Sequence, residues 1–225
     1  MIKPDAFNEY VSAKRAGKRY LKIHSRDGFN GHLPNLETLL INKKIVGEAT
    51  LGSYDIPLNK IVGTCTCGRG NDYSGSFMPL LTAKSEFAQK WEYVYSHQVS
   101  DGISEPIKTY EYMGEFFVSE GNKRVSVMNH VDAISIYGDV TRLIPLRTDD
   151  YETSVYYEKL DYDLKGFWYT SMNFTKRGDF EGLVAHATKF ADKTEAIKQK
   201  ELRYWLPQIF REFDYKFNAL FRTFL

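Results

Sequence analysis

The chain opens with apolar residues at helical spacing. From Asp5, which is suited to cap a helix, to about Ser25, apolar side chains recur on one side and basic side chains crowd the other. A cluster of turn-forming residues follows at 28–34, and residues 35–44 then predict a second, shorter helix. The pattern therefore predicts an N-terminal helical segment over residues 1–53, folded as a helical hairpin.

Strand and helix patterns alternate through the middle of the chain. In chain order, the pattern predicts a strand at 54–62, a helix at 85–99, strands at 107–111 and 115–119, a helix at 120–130, and strands at 133–136 and 140–145. Interleaved helices and strands of this kind favour an α+β fold with a small mixed sheet. We expect this domain to cover residues 54–150.

After residue 150 the pattern is helical and rich in aromatic residues. Residues 151–163, 179–190 and 196–225 predict helices, the last of them interrupted at Pro207. The apolar pattern is still running at Leu225, which favours either a further segment or a self-association surface. The C-terminal helical region, residues 151–225, is therefore a candidate surface for a homo-oligomer.

Composition and charge narrow the class of protein. The 225 residues include 16 tyrosines, 15 phenylalanines and 3 tryptophans, enough for a sizeable core, and the net charge is only +1. The first ten residues lack an apolar leader, and no run approaches the roughly 18 apolar residues of a membrane helix. Cys65 and Cys67 are too close in sequence for an unstrained disulfide. We therefore expect a soluble, cytoplasmic protein without a membrane partner.

Basic residues are concentrated near the N-terminus. Residues 1–48 carry 9 Lys and Arg against 5 Asp and Glu, whereas residues 49–150 carry 9 against 13. Within the first predicted helix and just after it, the basic positions are Lys14, Arg15, Lys18, Arg19, Lys22 and Arg26. Such a helix is typical either of a surface that tracks nucleic-acid phosphates or of an ordinary solvated helix face. The pI of about 7.7 argues mildly against nucleic acid.

The most informative segment joins a predicted strand to a predicted helix at Gly121. Unpaired N–H groups and the positive end of the helix dipole meet there, and Lys123 and Arg124 add positive charge, so the turn attracts phosphate. Gly121 allows close approach of an anion, and Glu120 and Asn122 are candidates to bind Mg²⁺ or to orient a water molecule. The alternative is a structural role, in which Arg124 bridges to a carboxylate of the core.

The order of the segments around this turn resembles the N-terminal domain of the partition protein ParB and its relatives, the ParB/sulfiredoxin superfamily. The resemblance rests on an "IPL…I" opening at residues 56–61, an amphipathic helix ending in glycine, a "PI" strand at residues 106–107, and a G-x-[RHK]-R turn at residues 121–124. It covers roughly residues 54–147. The basic helical N-terminus and the segments at residues 77–81 and 120–127 are also similar to those of uncharacterised bacterial ParB-like proteins.

The resemblance implies that the chain binds a nucleotide. In the family the turn cradles nucleotide phosphates, and an arginine in an earlier loop also reaches them. The residues that these family positions assign to phosphate are Arg69, Gly121, Asn122, Lys123 and Arg124, with Ser126 nearby. Glu120 stands where the family's phosphotransferases and nucleases often carry an acidic residue, so it is expected to bind metal or to act as a general base. The expected cofactors are Mg²⁺ and a nucleoside triphosphate whose base the sequence leaves open.

Departures from the family pattern disfavour some of its functions. Sulfiredoxins carry a catalytic cysteine directly after the turn glycine, where this chain has Asn122, which disfavours sulfinic acid reduction. A zinc site built from Cys65, Cys67 and a histidine is disfavoured, since two cysteines with arbitrary histidines make a weak ligand set. The helix-turn-helix of the partition proteins is not recognisable after Arg147.

Three functions stay open from the sequence. The first is nucleotide binding with Mg²⁺-dependent hydrolysis of a nucleoside triphosphate, or transfer of its phosphoryl group, in which Glu120 activates water or a hydroxyl. The second is a DNA-binding protein or nuclease, in which the turn grips a backbone phosphate and the basic helix extends the groove. The third is a catalytically silent interaction domain that binds a partner or a second copy through the aromatic C-terminal helices.

Overall fold

The computed structural model describes residues 5–25, 30–65, 67–164 and 178. The chain divides into two compact units, Met1–Thr148 and Asp149–Leu225. The helices are α1 (Ala6–His24), α2 (Leu36–Leu39), α3 (Cys67–Gly70), α4 (Glu86–Ser100), α5 (Asn122–His130) and α6 (Tyr151–Leu164). The strands are β1 (Ile45–Pro57), β2 (Ile61–Thr64), β3 (Ile107–Tyr112), β4 (Glu115–Glu120) and β5 (Ser135–Pro145). A 3₁₀ helix, Leu58–Lys60, joins β1 to β2.

Within the described part of the first unit, the strands form one mixed sheet in the order β1-β5-β3-β4-β2. β1 pairs antiparallel with β5, and β3 antiparallel with β4. The β3–β5 and β2–β4 pairs are parallel. Because β2 and β4 run in the same direction, their carboxyl ends lie at the same edge of the sheet. The segments leading into α3 and α5 therefore start side by side, at the kind of edge where open sheets bind ligands.

The two faces of the sheet pack into separate hydrophobic clusters. Phe116 and Val118 of β4 belong to the larger cluster, and Phe117 between them belongs to the smaller one, as strand alternation requires. The larger cluster surrounds Trp91 of α4, which is fully buried, and Tyr10 of α1 packs edge-on against it with 5.4 Å between ring centroids. Since α1, α4 and α5 all contribute to this cluster, the three helices cover one face of the sheet.

Several predicted elements are confirmed. Asp5 caps α1, where its carboxylate accepts a hydrogen bond from the N–H of Phe7 at 3.0 Å. The predicted amphipathic helix is α4, and Ser85 caps it by accepting from the N–H of Ala88. β3 and β4 form the predicted hairpin, and α5 follows directly. The α+β class with a mixed sheet is therefore confirmed.

The bounds of some N-terminal elements were predicted wrongly. The second helix, expected over 35–44, is the single turn of α2, so it forms no long partner for α1 in a helical hairpin. β1 starts at Ile45, inside the segment expected to be helical through residue 53. Two glycines and several small side chains weaken the alternation of apolar and polar residues that identifies a strand, and most of this edge strand is exposed. The run at 54–62 is the end of β1, the 3₁₀ helix and the start of β2.

The strands expected at 133–136 and 140–145 form the single strand β5. Gly138, which falls between the two predicted strands, lies within β5. A Cβ atom at this position would come within 2.7 Å of the Ile107 Cγ1 atom and 2.8 Å of the Ile56 Cδ1 atom. The glycine is needed because the neighbouring strands bring large side chains against it.

In the second unit, α6 corresponds to the helix expected at 151–163. The helices expected at 179–190 and 196–225, and with them the candidate self-association surface, lie outside the described residues. Arg26 of the predicted basic set also lies outside them. Over the stretches that the structure describes, no helix is both long and apolar enough to cross a membrane.

Candidate phosphate-binding site

The β4–α5 turn (residues 120–124) depends on a glycine in an unusual conformation. Gly121 has φ of 103°, in the left-handed region, and precedes the first residue of α5. A Cβ atom there would lie 2.6 Å from the Ile107 Cγ2 atom of β3. Since other residues rarely adopt this φ and would also clash, the sequence needs glycine to turn the chain from sheet to helix here.

The N-terminus of α5 presents backbone donors that the helix does not use. The first hydrogen bond of the helix runs from the N–H of Val125 to the carbonyl oxygen of Gly121 at 3.1 Å, so the N–H groups of residues 122–124 have no acceptor within it. Gly121 offers no side chain to cap them. The Asn122 Oδ1 atom is also buried without a hydrogen-bond partner. The turn therefore retains unused hydrogen-bonding capacity, which is uncommon for buried polar groups.

Lys123 is held on the side of the turn that faces α4. Its ammonium group lies 4.6 Å from the centroid of the Phe87 ring. Burial lowers the pKa of Lys123, and the positive charges of Arg69 and Lys90 lower it further. Asp72 and Glu86 act in the opposite direction. A partly desolvated ammonium group beside two other cations has an incompletely balanced positive charge, which an anion would stabilise.

Arg69 reaches the same neighbourhood from α3. Its guanidinium group is close enough to Lys123 to affect the pKa of that residue, and it is itself 58% exposed. A carboxylate oxygen of Asp72 lies 3.8 Å from its Nη1 atom, at the edge of ion-pair distance. The charge of Arg69 therefore acts on Lys123, although the two residues are more than 50 positions apart in sequence.

Arg124 points to a different part of the turn. Its Nη1 atom donates to the carbonyl oxygens of Glu105 at 2.9 Å and Pro106 at 2.7 Å, in the loop before β3. Its side chain is 16% exposed. Arg124 thus ties the loop to α5, and its ion-pair partners, Glu105 and Glu120, are surface carboxylates rather than the core carboxylate considered from the sequence.

Glu120, the expected metal ligand or base, is an exposed residue in an ion pair. A carboxylate oxygen lies 2.7 Å from the Lys108 Nζ atom on the neighbouring strand, and the other lies 4.0 Å from the Arg124 Nη2 atom. The hydrogen bond from Lys108 lowers the pKa of the Glu120 carboxyl group below its ordinary value. Such a carboxylate is ionised at neutral pH but is a weaker base than a free one.

Ser126, expected near the phosphate, faces the interior. Its side chain is fully buried, and its Oγ atom accepts a hydrogen bond from the Trp91 Nε1 atom at 2.9 Å. Ser126 therefore links α5 to α4 inside the core and does not line the surface of the turn.

The basic residues expected to contact nucleic acid lie on a different helix, α1. Arg15, Lys18, Arg19 and Lys22 are exposed, and Lys14 is half-buried. Arg15, Arg19 and Lys22 lie on the side of the helix opposite its buried residues, which are Tyr10, Ala13 and Gly17. Lys14 and Lys18 lie at the flank between the two sides.

The disfavoured zinc site finds no support within the described residues, where no three His, Cys, Asp or Glu side chains form a metal-binding cluster. Burial raises the pKa of the Cys65 thiol to about 11, which makes its thiolate rare at neutral pH. The rings of His24 and His32 each bond to a backbone carbonyl oxygen, those of Tyr20 and Tyr73.

Sequence reasoning missed the residues that contact Lys123 and Glu120. Phe87 was assigned only to the apolar stripe of α4, and its place beneath Lys123 depends on how α4 packs on α5. Lys108 faces Glu120 because β3 and β4 pair in the register Lys108–Glu120. The predicted hairpin carried a signal for this second contact, since opposite charges at facing ends of two strands favour pairing.

Comparison with known proteins gives no further assignment: no family model matches the sequence, and neither the curated proteins nor the solved structures yield a significant match.

Proposed function

We propose that the first unit binds the phosphate groups of a nucleotide at the β4–α5 turn. The observation that carries the proposal is the N-terminus of α5, which has no side-chain cap, follows the left-handed Gly121 and carries Lys123 in its first turn. The charge of Arg69 also acts on this lysine. Helix N-H groups, a left-handed glycine and two cations from separate elements form the usual combination for holding phosphate. The resemblance to the ParB/sulfiredoxin superfamily, which includes the same turn, supports a nucleotide as the source of the phosphate.

The residues divide into two roles under this proposal. Lys123, Arg69 and the N–H groups of residues 122–124 contact phosphate, with Asn122 beside them. Arg124 is a positioning residue, because its guanidinium already donates to two carbonyl oxygens of the loop before β3. Ser126 supports the turn from the core through Trp91.

The reaction that the resemblance implies is hydrolysis of a nucleoside triphosphate or transfer of its phosphoryl group, with Glu120 as the base. The residues at the turn do not fit a resident Mg²⁺ ion, since Glu120 is paired with Lys108 and the described residues contain no metal-binding cluster. We therefore derive no step through Mg²⁺. Binding, rather than catalysis, is the part of the function that the geometry supports best.

Binding is tested by thermal unfolding of the purified protein with ATP, CTP, GTP or UTP, each with and without Mg²⁺. A ligand that binds only the folded state raises its stability by RT ln(1 + [L]/Kd), so one nucleotide at 100 times its Kd adds about 2.7 kcal/mol. We expect the rise in Tm to be lost in Lys123→Gln. Lys84→Gln, which removes one exposed positive charge elsewhere, should keep it.

Other results with the wild-type protein and its variants would contradict parts of the proposal. No rise with any nucleotide in the wild-type protein removes the proposal. An equal loss in Lys123→Gln and Lys84→Gln shows a general charge effect and removes the assignment to this turn. If the wild-type protein binds a nucleotide, the rates of nucleotide turnover in wild type and in Glu120→Gln test whether Glu120 is the base. Equal rates would show that Glu120 does not have that role.

A further inference from the structure

We propose that the basic face of α1 (Lys14, Arg15, Lys18, Arg19 and Lys22) binds the phosphate backbone of double-stranded DNA without reading its sequence. This surface is separate from the β4–α5 turn, and the proposal stands whether or not the turn binds a nucleotide.

The basic face lacks acidic neighbours on its own helix. The acidic residues at the start of α1 are both engaged, since Asp5 caps the helix and Glu9 lies 2.9 Å from the Nε2 atom of His130. From residue 10 to residue 24 the helix has no Asp or Glu. Among the described residues, none of the five cations takes part in an ion pair. An ordinary solvated helix face carries both signs of charge, and this one does not.

The like charges also repel one another. Lys14, Lys18 and Lys22 follow each other at four-residue spacing, as do Arg15 and Arg19. Like charges at this spacing destabilise a helix. A bound polyanion would remove this cost.

The helix that carries the charges is firmly fixed. Tyr10 is fully buried, and its hydroxyl group donates to the carbonyl oxygen of Leu81 at 3.0 Å. At Gly17 the chain passes so close that a Cβ atom would lie 3.0 Å from the Pro79 carbonyl oxygen. The cations are therefore spread over about 12 Å of a fixed helix axis, a length over which duplex DNA presents several phosphates.

The other polyanions fit this surface less well. Single-stranded nucleic acid binds through exposed aromatic rings between the cations, but Tyr20 is stacked on His24 with 3.8 Å between ring centroids. An anionic membrane takes up a helix by its apolar side, and the apolar side of α1 is packed in the core. The exposed Phe7 and Ile23 lie near opposite ends of the helix and form no apolar stripe.

The proposal is tested with a fluorescently labelled DNA duplex of about 20 base pairs, in anisotropy titrations of the full chain over a range of salt concentrations. Binding through phosphates predicts that log K falls linearly with log salt, with a slope of about −0.9 per phosphate contact. The variant Lys18→Gln/Arg19→Gln/Lys22→Gln should weaken binding at least tenfold at low salt and reduce the slope by about two to three. The matched control, Lys43→Gln/Lys44→Gln/Lys84→Gln, removes three exposed charges from other surfaces and should bind like wild type.

Thermal unfolding of both variants checks that they are folded, and the same duplex with a scrambled sequence should bind equally. No binding at low salt, or equal losses in the two triple variants, overturns the proposal. The proposal is also overturned if the protein binds single-stranded RNA or anionic phospholipid vesicles more tightly than it binds the duplex and the α1 variant loses that binding. The basic face of α1 would then be assigned to that partner. Because nucleotide binding is followed through Lys123→Gln in the absence of DNA, failure of one proposal is distinguishable from failure of the other.

Discussion

Gly121 and Gly102 are both left-handed glycines, but only one of them is enclosed. Gly121 has a φ of 103° and would place a Cβ atom against Ile107, whereas Gly102 has a φ of 79° with no atom within 4 Å of a Cβ. A comparison of substitutions at the two positions therefore distinguishes the cost of the backbone conformation from the cost of close packing. At Gly121 both contributions act on the turn that we assign to phosphate.

Gly121→Ala should be clearly more destabilising than Gly102→Ala. A left-handed alanine costs about 1–2 kcal/mol, and at Gly121 the contact with Ile107 adds to that cost. Urea or thermal unfolding of the two variants beside wild type measures the difference. Equal losses would show that Ile107 can move aside at no cost.

Lys123 carries a charge that burial and neighbouring cations disfavour, since its pKa is lowered in the folded state. In the unfolded chain lysine has its ordinary pKa. Between the lowered pKa and the ordinary pKa, the unfolded state therefore binds more protons than the folded state. The folded state is therefore penalised at neutral pH, and the penalty is relieved as the pH rises through the lowered pKa.

The variant Lys123→Met keeps the aliphatic chain over Phe87 and removes the charge. Relative to wild type, its free energy of unfolding should fall steadily as the pH rises from 7 toward 10.5. Other titrating groups are common to both proteins and cancel in this difference. Chemical unfolding at a series of pH values provides it, and a difference that grows with pH would show that the ring contact outweighs desolvation.

At the scale of elements, the β3–β4 hairpin is held by a buried charge. Glu111 is almost fully buried; one carboxylate oxygen accepts from the N–H of Gly114 in the hairpin turn at 2.6 Å, and the other pairs with Arg142 on β5. The same side chain thus fixes the turn of the hairpin and the parallel β3–β5 contact. A buried carboxylate is tolerated here because both of its oxygens have partners.

Removing one partner of this pair should be worse than removing both. Arg142→Met leaves Glu111 charged and buried, at a cost of about 3 kcal/mol, whereas Arg142→Met with Glu111→Gln leaves a neutral amide. We expect the double variant to be the more stable of the two in urea unfolding. The reverse order would mean that the other hydrogen-bond donors to Glu111 suffice without Arg142.

Elements with strong local signals were predictable, and those that depend on partners were not. Ser85 and the apolar spacing after it identify α4, and Tyr112-Met113-Gly114 identifies the hairpin turn. Residues 45–53 of β1 escaped prediction because an exposed edge strand needs few apolar residues once β5 provides its hydrogen bonds.

The candidate site shows the same division. The glycine turn and its basic residues were visible in sequence, because a strand, a glycine and a helix lie in succession. Which way each cation points was not visible, since Lys123 lies over Phe87 and Arg124 bonds to the loop before β3 only after α4 and β3 have packed. The separation of the proposed binding roles from the proposed positioning roles depends on tertiary structure.

At the scale of the whole molecule, buried phenols make the stability sensitive to alkaline pH. Burial raises the pKa of Tyr10 to about 12 and raises that of Tyr73 further. In the unfolded chain these groups titrate near 10, so the stability they provide is full below pH 10 and is lost as the pH rises through the folded-state values.

The protein should therefore unfold cooperatively in alkaline solution above pH 10, and Tyr10→Phe should move the midpoint upward. That variant also loses the hydrogen bond to Leu81, so its stability at pH 7 should be lower by about 1 kcal/mol. Circular dichroism follows unfolding, and absorbance at 295 nm follows tyrosinate. An unchanged alkaline midpoint would show that Tyr10 ionises without unfolding the protein.

The pairing of β1 with β5 also sets an order of events during synthesis. Pro57 pairs with Ser135 and Ile45 with Pro145, so β1 leaves the ribosome long before its partner exists. At about 5–20 residues per second, it waits on the order of 4–20 s with its backbone groups open to other chains. The register shifts near Gly47 and Gly52, with the charges of Glu48 and Asp55, are the features that discourage nascent strands from joining one another. Among the described strands, β1 therefore has the longest delay between its synthesis and its pairing, and its sequence limits association with other chains during that time.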